Sequence, residues 1–251
     1  MKAHSVLNSI RWERFAAACA IALLTTLGGC AANHVGVTQY GGMREVLRDG
    51  ATQARVKLAD ASRTPHAYGV GALANLEGEV TILNGDVWVA RKAGADLRMT
   101  GPAVVASDQA TLLTLTSVDN WTDVALPAHL SGLDLEAEIE RIAQQNGVDT
   151  SKPFPFLIEG EITKLEAHVI AGGCPMSGAA DNPEPWRLSI DAPTKGTLVG
   201  FFANDQAGVM THHGSRTHMH VIMTLDDRTI TAHVEEASVA AGSVLRLPAP
   251  R

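Results

Sequence analysis

The sequence contains few cysteines and no excess of basic residues, and both shortages restrict its function. Three cysteines occur in 251 residues, too few for a disulfide framework even in an oxidising compartment. Twenty Lys and Arg stand against 27 Asp and Glu, which gives a formal charge of −7 without any long basic run. Nucleic acid is therefore not an expected partner.

Long apolar segments are also scarce. Beyond the first thirty residues, no apolar stretch approaches the roughly 20 residues that a transmembrane helix needs. The remaining chain is long enough for one large domain or two small ones with a proper core. The protein is therefore expected to contact a membrane only at its N-terminus.

Residues 1–29 are predicted to form a lipoprotein signal peptide. Arg11 and Arg14 supply the positive segment, and Phe15–Leu27 is apolar but short for a membrane span. The sequence Leu27-Gly28-Gly29-Cys30 is typical of a lipobox, in which cleavage precedes the cysteine and its thiol takes the lipid. Because no Asp follows Cys30, we expect an anchor on the periplasmic side of the outer membrane. The alternative is an ordinary secretory signal with a chance cysteine.

Cys174 is the only thiol left once Cys30 is lipidated and Cys19 is removed with the signal peptide. It lies in Gly172–Pro175, a loop sequence. A tolerated free cysteine is one interpretation, and a metal-ligating or nucleophilic thiol is the other.

Residues 30–66 are interpreted as a polar tether with one helix, since a weak helical pattern covers Met43–Leu58. Residues 67–251 are interpreted as the functional domain, because the pattern changes to strands near Gly69. Asn84-Gly85 is a strong signal for a tight hairpin turn between two alternating segments.

The rest of the chain is predicted to be mostly β, with one clear helix. Leu133–Gln145 has apolar residues on one face; Ser131 precedes its acidic first turn, and Gly147 ends it. A long Gly- and Pro-rich loop is expected at 171–185. Further strands are predicted at Glu77–Ile82, Asp86–Val89, Val104–Ala106, Thr111–Val118, Phe156–Ile162, Glu166–Ile170, Gly196–Phe202, Thr217–Thr224 and Thr229–Glu235.

Three histidines have the spacing of a metal site. Strand alternation puts His218 and His220 on one face. A hairpin with a two- or four-residue loop centred on Asp226-Asp227 would set His220 opposite His233 and His218 opposite Glu235. Three imidazoles with an open fourth position are the typical ligands of catalytic zinc. We therefore predict one Zn²⁺ per chain.

Two alternatives compete with zinc. The histidines can be partly exposed strand residues, or the nearby Met210, Met219 and Met223 can indicate a copper site. Alternation turns Met219 away from its flanking histidines, which disfavours copper. The successive residues His212 and His213 are left outside the predicted ligand set.

Four blocks and the histidine pattern together resemble the alpha-acetolactate decarboxylase family. The blocks are Gly69–Trp88, which contains Gly78-Glu79, and then Asp108–Leu115, Pro153–Gly160 and Gly196–Phe202. His-x-His and a third histidine on the next strand follow in the same order. The resemblance covers roughly residues 67–239, and the shared order is its specific signal.

The resemblance implies an α/β (α+β), mostly β fold, with a mixed β-sheet domain and a small β-barrel that carries the metal. It further implies that zinc holds a small 2-hydroxy-3-oxo acid, and that loss of CO₂ leaves an enediolate. A carboxylate at the position of Glu79 would handle the proton. The family has an Arg on the strand where this chain has His168, a weaker and titratable partner for a carboxylate. Glu235 is the candidate for the family's further acidic residue.

The sequence thus predicts a zinc-dependent carboxy-lyase that converts acetolactate (2-hydroxy-2-methyl-3-oxobutanoate) to acetoin and CO₂. Glu79, His168 and Glu235 are its candidate catalytic residues. A metal-containing lipoprotein that binds a small ligand and a zinc hydrolase are the alternatives on the same scaffold. A homodimer is kept as a candidate assembly.

Overall fold

A computed structural model describes residues 35–172 and 183–250. The predicted signal peptide, the lipidation site Cys30 and the loop residue Cys174 lie outside the described residues. Within the described part of the chain, no helix is long and apolar enough to cross a membrane.

The first sheet is antiparallel, with the strand order β1-β7-β3-β4-β5-β6 and β2 also on β7. It begins in the segment that was interpreted as a tether. Its strands are β1 (Val37–Tyr40), β2 (Val56–Lys57), β3 (Ala67–Leu73), β4 (Glu79–Leu83), β5 (Asp86–Ala93), β6 (Asp96–Thr100) and β7 (Gln109–Ser117). Two short helices, α1 (Met43–Leu47) and α2 (Leu58–Ala61), and a 3₁₀ turn at Ala74–Leu76 connect them.

The turn between β4 and β5 confirms the predicted hairpin. Leu83 pairs with Asp86, so that Asn84 and Gly85 form the two-residue loop. Both have positive φ, 52° and 88°, as a turn that follows the twist of the strands requires. This hairpin fixes the direction of β4, which carries Glu79.

The second sheet contains a closed barrel. Its strand order is β8-β15-β10-β12-β13-β14-β9, and β11 pairs with β10. Because β10 also pairs with β14, the strands β10, β12, β13 and β14 close on themselves. The elements are β8 (Trp121–Ala125), β9 (Leu130–Ser131), α3 (Gly132–Gln145), β10 (Phe154–Val169), β11 (Trp186–Ile190), β12 (Thr194–Phe202), β13 (Thr217–Leu225), β14 (Arg228–Val239) and β15 (Val244–Pro248).

The mainly β class and the small barrel are confirmed. Strand direction is simpler than the mixed sheet that was expected: every pairing between these strands is antiparallel. Most neighbouring strands in these sheets are joined by hairpins or short connections. Such connections produce antiparallel pairs, whereas parallel pairs need a long crossover.

Two of the sequence blocks meet in the barrel wall. Phe156 of β10 pairs with Gly200 of β12, and a Cβ atom at position 200 would collide with the Phe156 ring. The glycine therefore makes room for a fully buried aromatic side chain, whose burial contributes roughly 1.5–3 kcal/mol. This close approach joins the two blocks in one wall of the barrel.

Helix α3 confirms the predicted helix. Leu135, Ile139 and Ile142 are buried in the same core cluster as the barrel strands. Ser131 occupies the N-cap position, but its side chain makes no capping hydrogen bond. Gly147 follows the helix with a φ of 78°, as predicted for its end.

Several elements differ from the predictions. The predicted helix over Met43–Leu58 is two short helices separated by a loop and β2, because Gly50 and polar residues interrupt the weak pattern. Val104–Ala106 lies in a loop, where the Asp108 amide donates to the Val105 carbonyl. Residues Phe156–Ile162 and Glu166–Ile170 belong to one bent strand, β10, with the exception of Ile170. Its register on β14 shifts between Ile162 and Lys164, which coincides with the gap between the two predicted strands.

Candidate metal centre

The hairpin of β13 and β14 brings the predicted ligands together. Leu225 pairs with Arg228, so Asp226 and Asp227 form a two-residue turn, with φ values of 47° and 60°. An even loop preserves the faces of the strands. His220 consequently pairs with His233, as predicted.

His218, His220 and His233 form a compact buried group. Their exposed fractions are 3%, 0% and 7%, and one ring nitrogen from each lies within 4.8 Å of the others. The ring centroids are separated by 5.3 Å (His218 to His220), 5.1 Å (His218 to His233) and 5.4 Å (His220 to His233). The interpretation as partly exposed strand histidines is therefore wrong.

The electrostatics of this group suit a cation. Burial, and then the neighbouring imidazoles, hold the pKa of each of the three histidines well below its ordinary range. The rings are therefore neutral, the form in which histidine binds metals. Nδ1 of His218 and Nε2 of His220 are buried without a hydrogen-bond partner among the described residues. These orphaned atoms fit a single divalent ion.

Strand β4 of the first sheet faces this group. Oε2 of Glu79 lies 3.7 Å from Nε2 of His220, and the Ile170 amide donates to Oε1 at 3.4 Å. Burial raises the pKa of Glu79 to about 8, and the Ile170 amide opposes this shift. Of the predicted catalytic residues, Glu79 is the one whose carboxyl group directly faces a predicted ligand.

Two threonines next to His220 were not found from the sequence. Thr81, two residues after Glu79 on the same face of β4, lies 3.0 Å from Nδ1 of His220. Its hydroxyl also lies 2.6 Å from that of Thr231 on β14. The two-residue spacing between Glu79 and Thr81 was the sequence signal that could have indicated Thr81. The contact between Thr81 and His220, however, depends on how the two sheets pack against each other.

Glu235 lies elsewhere than the register prediction placed it. The pairing of β13 with β14 ends at His220 and His233, so His218 does not pair with Glu235. On the β10 side, Ala167 pairs with Val234 and Glu166 with Glu236, which leaves Glu235 as the extra residue of a bulge. The bulge turns its carboxylate toward β11.

Glu235 contacts His168 and a residue that was missed, Arg187. Its Oε1 accepts a hydrogen bond from Nη1 of Arg187 at 3.0 Å. Nδ1 of His168 lies 2.9 Å from the same oxygen, although the angle is not that of a hydrogen bond. Burial lowers the pKa of His168; the charge of Glu235 opposes this, and the charge of Arg187 adds to it. Among these residues, Arg187 therefore carries the permanent positive charge.

The start of β13 is held by a buried carboxylate. Oε1 of Glu136 on α3 accepts hydrogen bonds from Ser215 Oγ, the Arg216 amide and Thr217 Oγ1. These contacts fix the residues that immediately precede His218. The helix thus positions the first ligand strand without contacting the histidines.

The remaining candidates stay outside the three-histidine group. The His212 ring lies 5.2 Å from that of His233, at an exposed position, whereas His213 makes no such ring contact within the described residues. Met219 and Met223 pack with the hydrophobic core, which removes them from the side of the strand that carries the histidines. This position disfavours a copper site that combines those two methionines with His218 and His220.

A cavity of about 660 Å³ opens onto the group. Its wall combines apolar backbone and side chains from α1 and β3 with the polar residues Glu79, His168, Arg187, His218, His233 and Glu235. The candidate catalytic residues and two of the three predicted ligands, His218 and His233, thus line one partly open cavity, as a small-molecule site requires.

Comparisons with known proteins agree with this arrangement. The solved structure of alpha-acetolactate decarboxylase from Bacillus subtilis strain 168 is 20% identical, covers 84% of this chain and 83% of its own, and has a TM-score of 0.64. That of acetolactate decarboxylase from Bacillus subtilis subspecies spizizenii is 18% identical, with 86% of each chain covered and the same TM-score.

A Staphylococcus aureus protein described as similar to alpha-acetolactate decarboxylase is 16% identical, with 84% of each chain covered and a TM-score of 0.60. At these identities the structures show a shared fold. A search of curated proteins found no match. The family model described as alpha-acetolactate decarboxylase matches residues 37–246, and the chain therefore belongs to the alpha-acetolactate decarboxylase family.

Proposed function

We propose that this protein is a zinc-dependent decarboxylase that converts acetolactate to acetoin and CO₂. The observation that carries the proposal is the buried group of His218, His220 and His233, with the Glu79 carboxyl 3.7 Å from the ring of His220. Family membership supports a carboxy-lyase, and the lining of the cavity supports a small anionic substrate.

The three histidines would hold the ion through neutral ring nitrogens. When bound, a divalent metal supplies a Lewis acid for the substrate oxygens. The protein contributes a buried site at which the ligand atoms are already within 4.8 Å of one another. Little reorganisation is therefore needed on binding.

Glu79 would handle the proton. Decarboxylation breaks a carbon–carbon bond, CO₂ leaves, and the electron pair left behind must take up a proton. In the metal-free protein burial raises the pKa of Glu79 to about 8, and a buried carboxyl group beside a ligand histidine is placed to give a proton to that electron pair and to regain one from water. An exposed carboxyl would have lost that proton long before neutral pH.

Arg187 would hold the substrate carboxylate, in the place of the Arg that the family has on β10. His168 and Arg187 are directly paired on β10 and β11, so their side chains leave the same face of the sheet. Among the described residues, Glu235 accepts from one donor of the Arg187 guanidinium, and a carboxylate could accept from the other donors. His168 would then line the site as a neutral polar group.

A metal-binding lipoprotein without catalysis is the second candidate. The replacement of an Arg by His168, whose pKa is lowered, favours it, because the imidazole is a poor anchor for a carboxylate.

We further propose that Cys30 is lipidated and holds the domain on the periplasmic side of the outer membrane. The lipobox sequence supports this location.

The deciding experiment measures zinc and acetoin together. The purified mature chain should hold about one zinc per chain and release acetoin and CO₂ from racemic acetolactate, and a chelator should abolish the reaction. His220→Ala should lose the zinc, while His66→Ala, at an exposed position in the first sheet region, should keep it. A protein that holds zinc but releases no acetoin would support the metal-binding lipoprotein. A protein that neither holds zinc nor releases acetoin would refute both candidates.

A further inference from the structure

The His220 ring is held by a short chain of hydroxyl groups that crosses between the two sheets. Its Nδ1 lies 3.0 Å from Oγ1 of Thr81 on β4. That oxygen lies 2.6 Å from Oγ1 of Thr231 on β14, whose hydroxyl in turn donates to the Val221 carbonyl at 2.9 Å. His220, Thr81 and Thr231 are each completely buried.

Only one arrangement of hydrogens satisfies all three contacts. A carbonyl oxygen can only accept, so the single hydroxyl hydrogen of Thr231 is used on Val221. Thr81 must then donate its own hydrogen to Thr231. No hydrogen remains on Thr81 for His220, and Nδ1 of His220 must therefore be the donor.

A further observation agrees with this assignment. Nε2, the other nitrogen, is buried without a hydrogen-bond partner among the described residues and faces the other two histidines and Glu79. A neutral ring with its hydrogen on Nδ1 has its lone pair on Nε2.

We propose that Thr81 and Thr231 form a relay that fixes His220 in the Nδ1–H tautomer and so keeps the lone pair of Nε2 directed at the metal position. Thr81 is a positioning residue in this scheme, since it acts through His220. The inference rests on the proposed metal role of the three histidines, but the tautomer itself can be measured without metal.

The relay gives β4 two roles at one ligand. Thr81 and Glu79 leave the same face of the strand and approach the two different nitrogens of His220. Partners of this kind, placed behind a ligand histidine, typically change metal affinity about 10- to 100-fold when removed. The same strand would thus orient a ligand and present the carboxyl group.

The first test compares zinc affinity in three variants, by competition with a chromophoric chelator. Thr81→Val keeps the shape but removes the hydroxyl, and we expect a loss of about 10- to 100-fold. Thr81→Ser keeps the hydroxyl and should restore most of the affinity. Thr114→Val is the matched control, because Thr114 is equally buried on β7 and bonds to Gln39. Equal losses in Thr81→Val and Thr114→Val would overturn the proposal.

The second test reads the tautomer in the metal-free wild-type protein, from the ¹⁵N shifts and couplings of His220. The proposal requires the hydrogen on Nδ1; a hydrogen on Nε2 would refute it even if Thr81→Val failed to fold. Breaking the outer link with Thr231→Val should weaken zinc binding, and the double variant should be no worse than Thr81→Val alone. A correct tautomer in a protein that makes no acetoin would refute the decarboxylase proposal and leave the relay standing.

Discussion

Arg187 lies directly opposite His168 in the pairing of β11 with β10, and both side chains approach the same oxygen of Glu235. Arg187 is thus placed to supply, from the neighbouring strand, the positive charge that the family resemblance implied on β10. Because guanidinium stays charged at any working pH, the site keeps a permanent cation although His168 is neutral.

Replacing Arg187 should weaken substrate binding more than the chemical step. Arg187→Gln removes the charge that we assign to the substrate carboxylate, and KM for acetolactate should rise at least about 10-fold, the loss of a charge-assisted hydrogen bond of 1.5 kcal/mol or more. Arg187→Lys should recover part of the loss, since it keeps the charge without the planar fork. Steady-state kinetics on zinc-loaded protein measure both.

Arg228→Gln is the matched control for this prediction. Arg228 is as exposed as Arg187, 59% against 60%, and also pairs with an acidic residue, but at the hairpin turn of β13 and β14. Its KM should remain that of the wild type. An unchanged KM in Arg187→Gln would remove Arg187 from substrate binding.

Glu79→Gln should abolish decarboxylation while it leaves zinc in place. The amide keeps the size of the side chain but cannot transfer a proton at neutral pH, so kcat should fall by at least about 100-fold. Glu77→Gln, an exposed change two residues earlier, is the control. Zinc content and kcat should be measured on the same samples, and an active Glu79→Gln enzyme would exclude the proton role.

The same variant should change how the stability of the metal-free protein depends on pH. Between pH 4.5 and about pH 8, the folded protein keeps a proton on Glu79 that the unfolded chain loses. The free energy of unfolding therefore falls as the pH rises through this range, because of Glu79. Glu79→Gln should therefore raise Tm more near pH 8 than near pH 4.5. Thermal melts at both values test this, and an equal shift at both would contradict the raised pKa.

Glu136→Ala should destabilise the fold and weaken metal binding together. The change leaves the Arg216 amide and Thr217 Oγ1 without their acceptor, at a cost of about 1–3 kcal/mol for each donor that finds no water, while Ser215 Oγ keeps the Thr217 carbonyl as an acceptor. Glu138→Ala on the same helix removes only an exposed pair with Arg141 and should cost less than about 1 kcal/mol. Urea unfolding and zinc titration of both variants provide the comparison.

Cys30→Ser should prevent lipidation. If the lipobox prediction is right, labelled palmitate will enter the wild-type protein but not the variant, and the variant will leave the membrane fraction or keep its signal peptide. The control is Cys174→Ser, which removes the thiol outside the predicted lipobox and should label normally. Equal labelling of Cys30→Ser would refute the anchor.

The periodicity of the sequence was enough to bring together the three histidines of the proposed metal site. Alternation in β13 placed His218 and His220 on one face, and an even turn at Asp226-Asp227 placed His233 opposite His220. These relationships are local to one hairpin, so a two-residue repeat and a loop length determine them. For the same reason, the Asn84-Gly85 turn was predictable.

The surroundings of those histidines depend on contacts between residues that are distant in sequence. Thr81 meets His220 across 139 positions of sequence because the two sheets pack face to face, and no repeat within either strand encodes that contact. Arg187 joins the site because β11 pairs with β10, and the bulge at Glu235 redirects a carboxylate that alternation had placed beside His218. The two-residue repeat along a strand determines which of its residues share a face. The packing of the sheets and the bulges within a strand determine which faces meet.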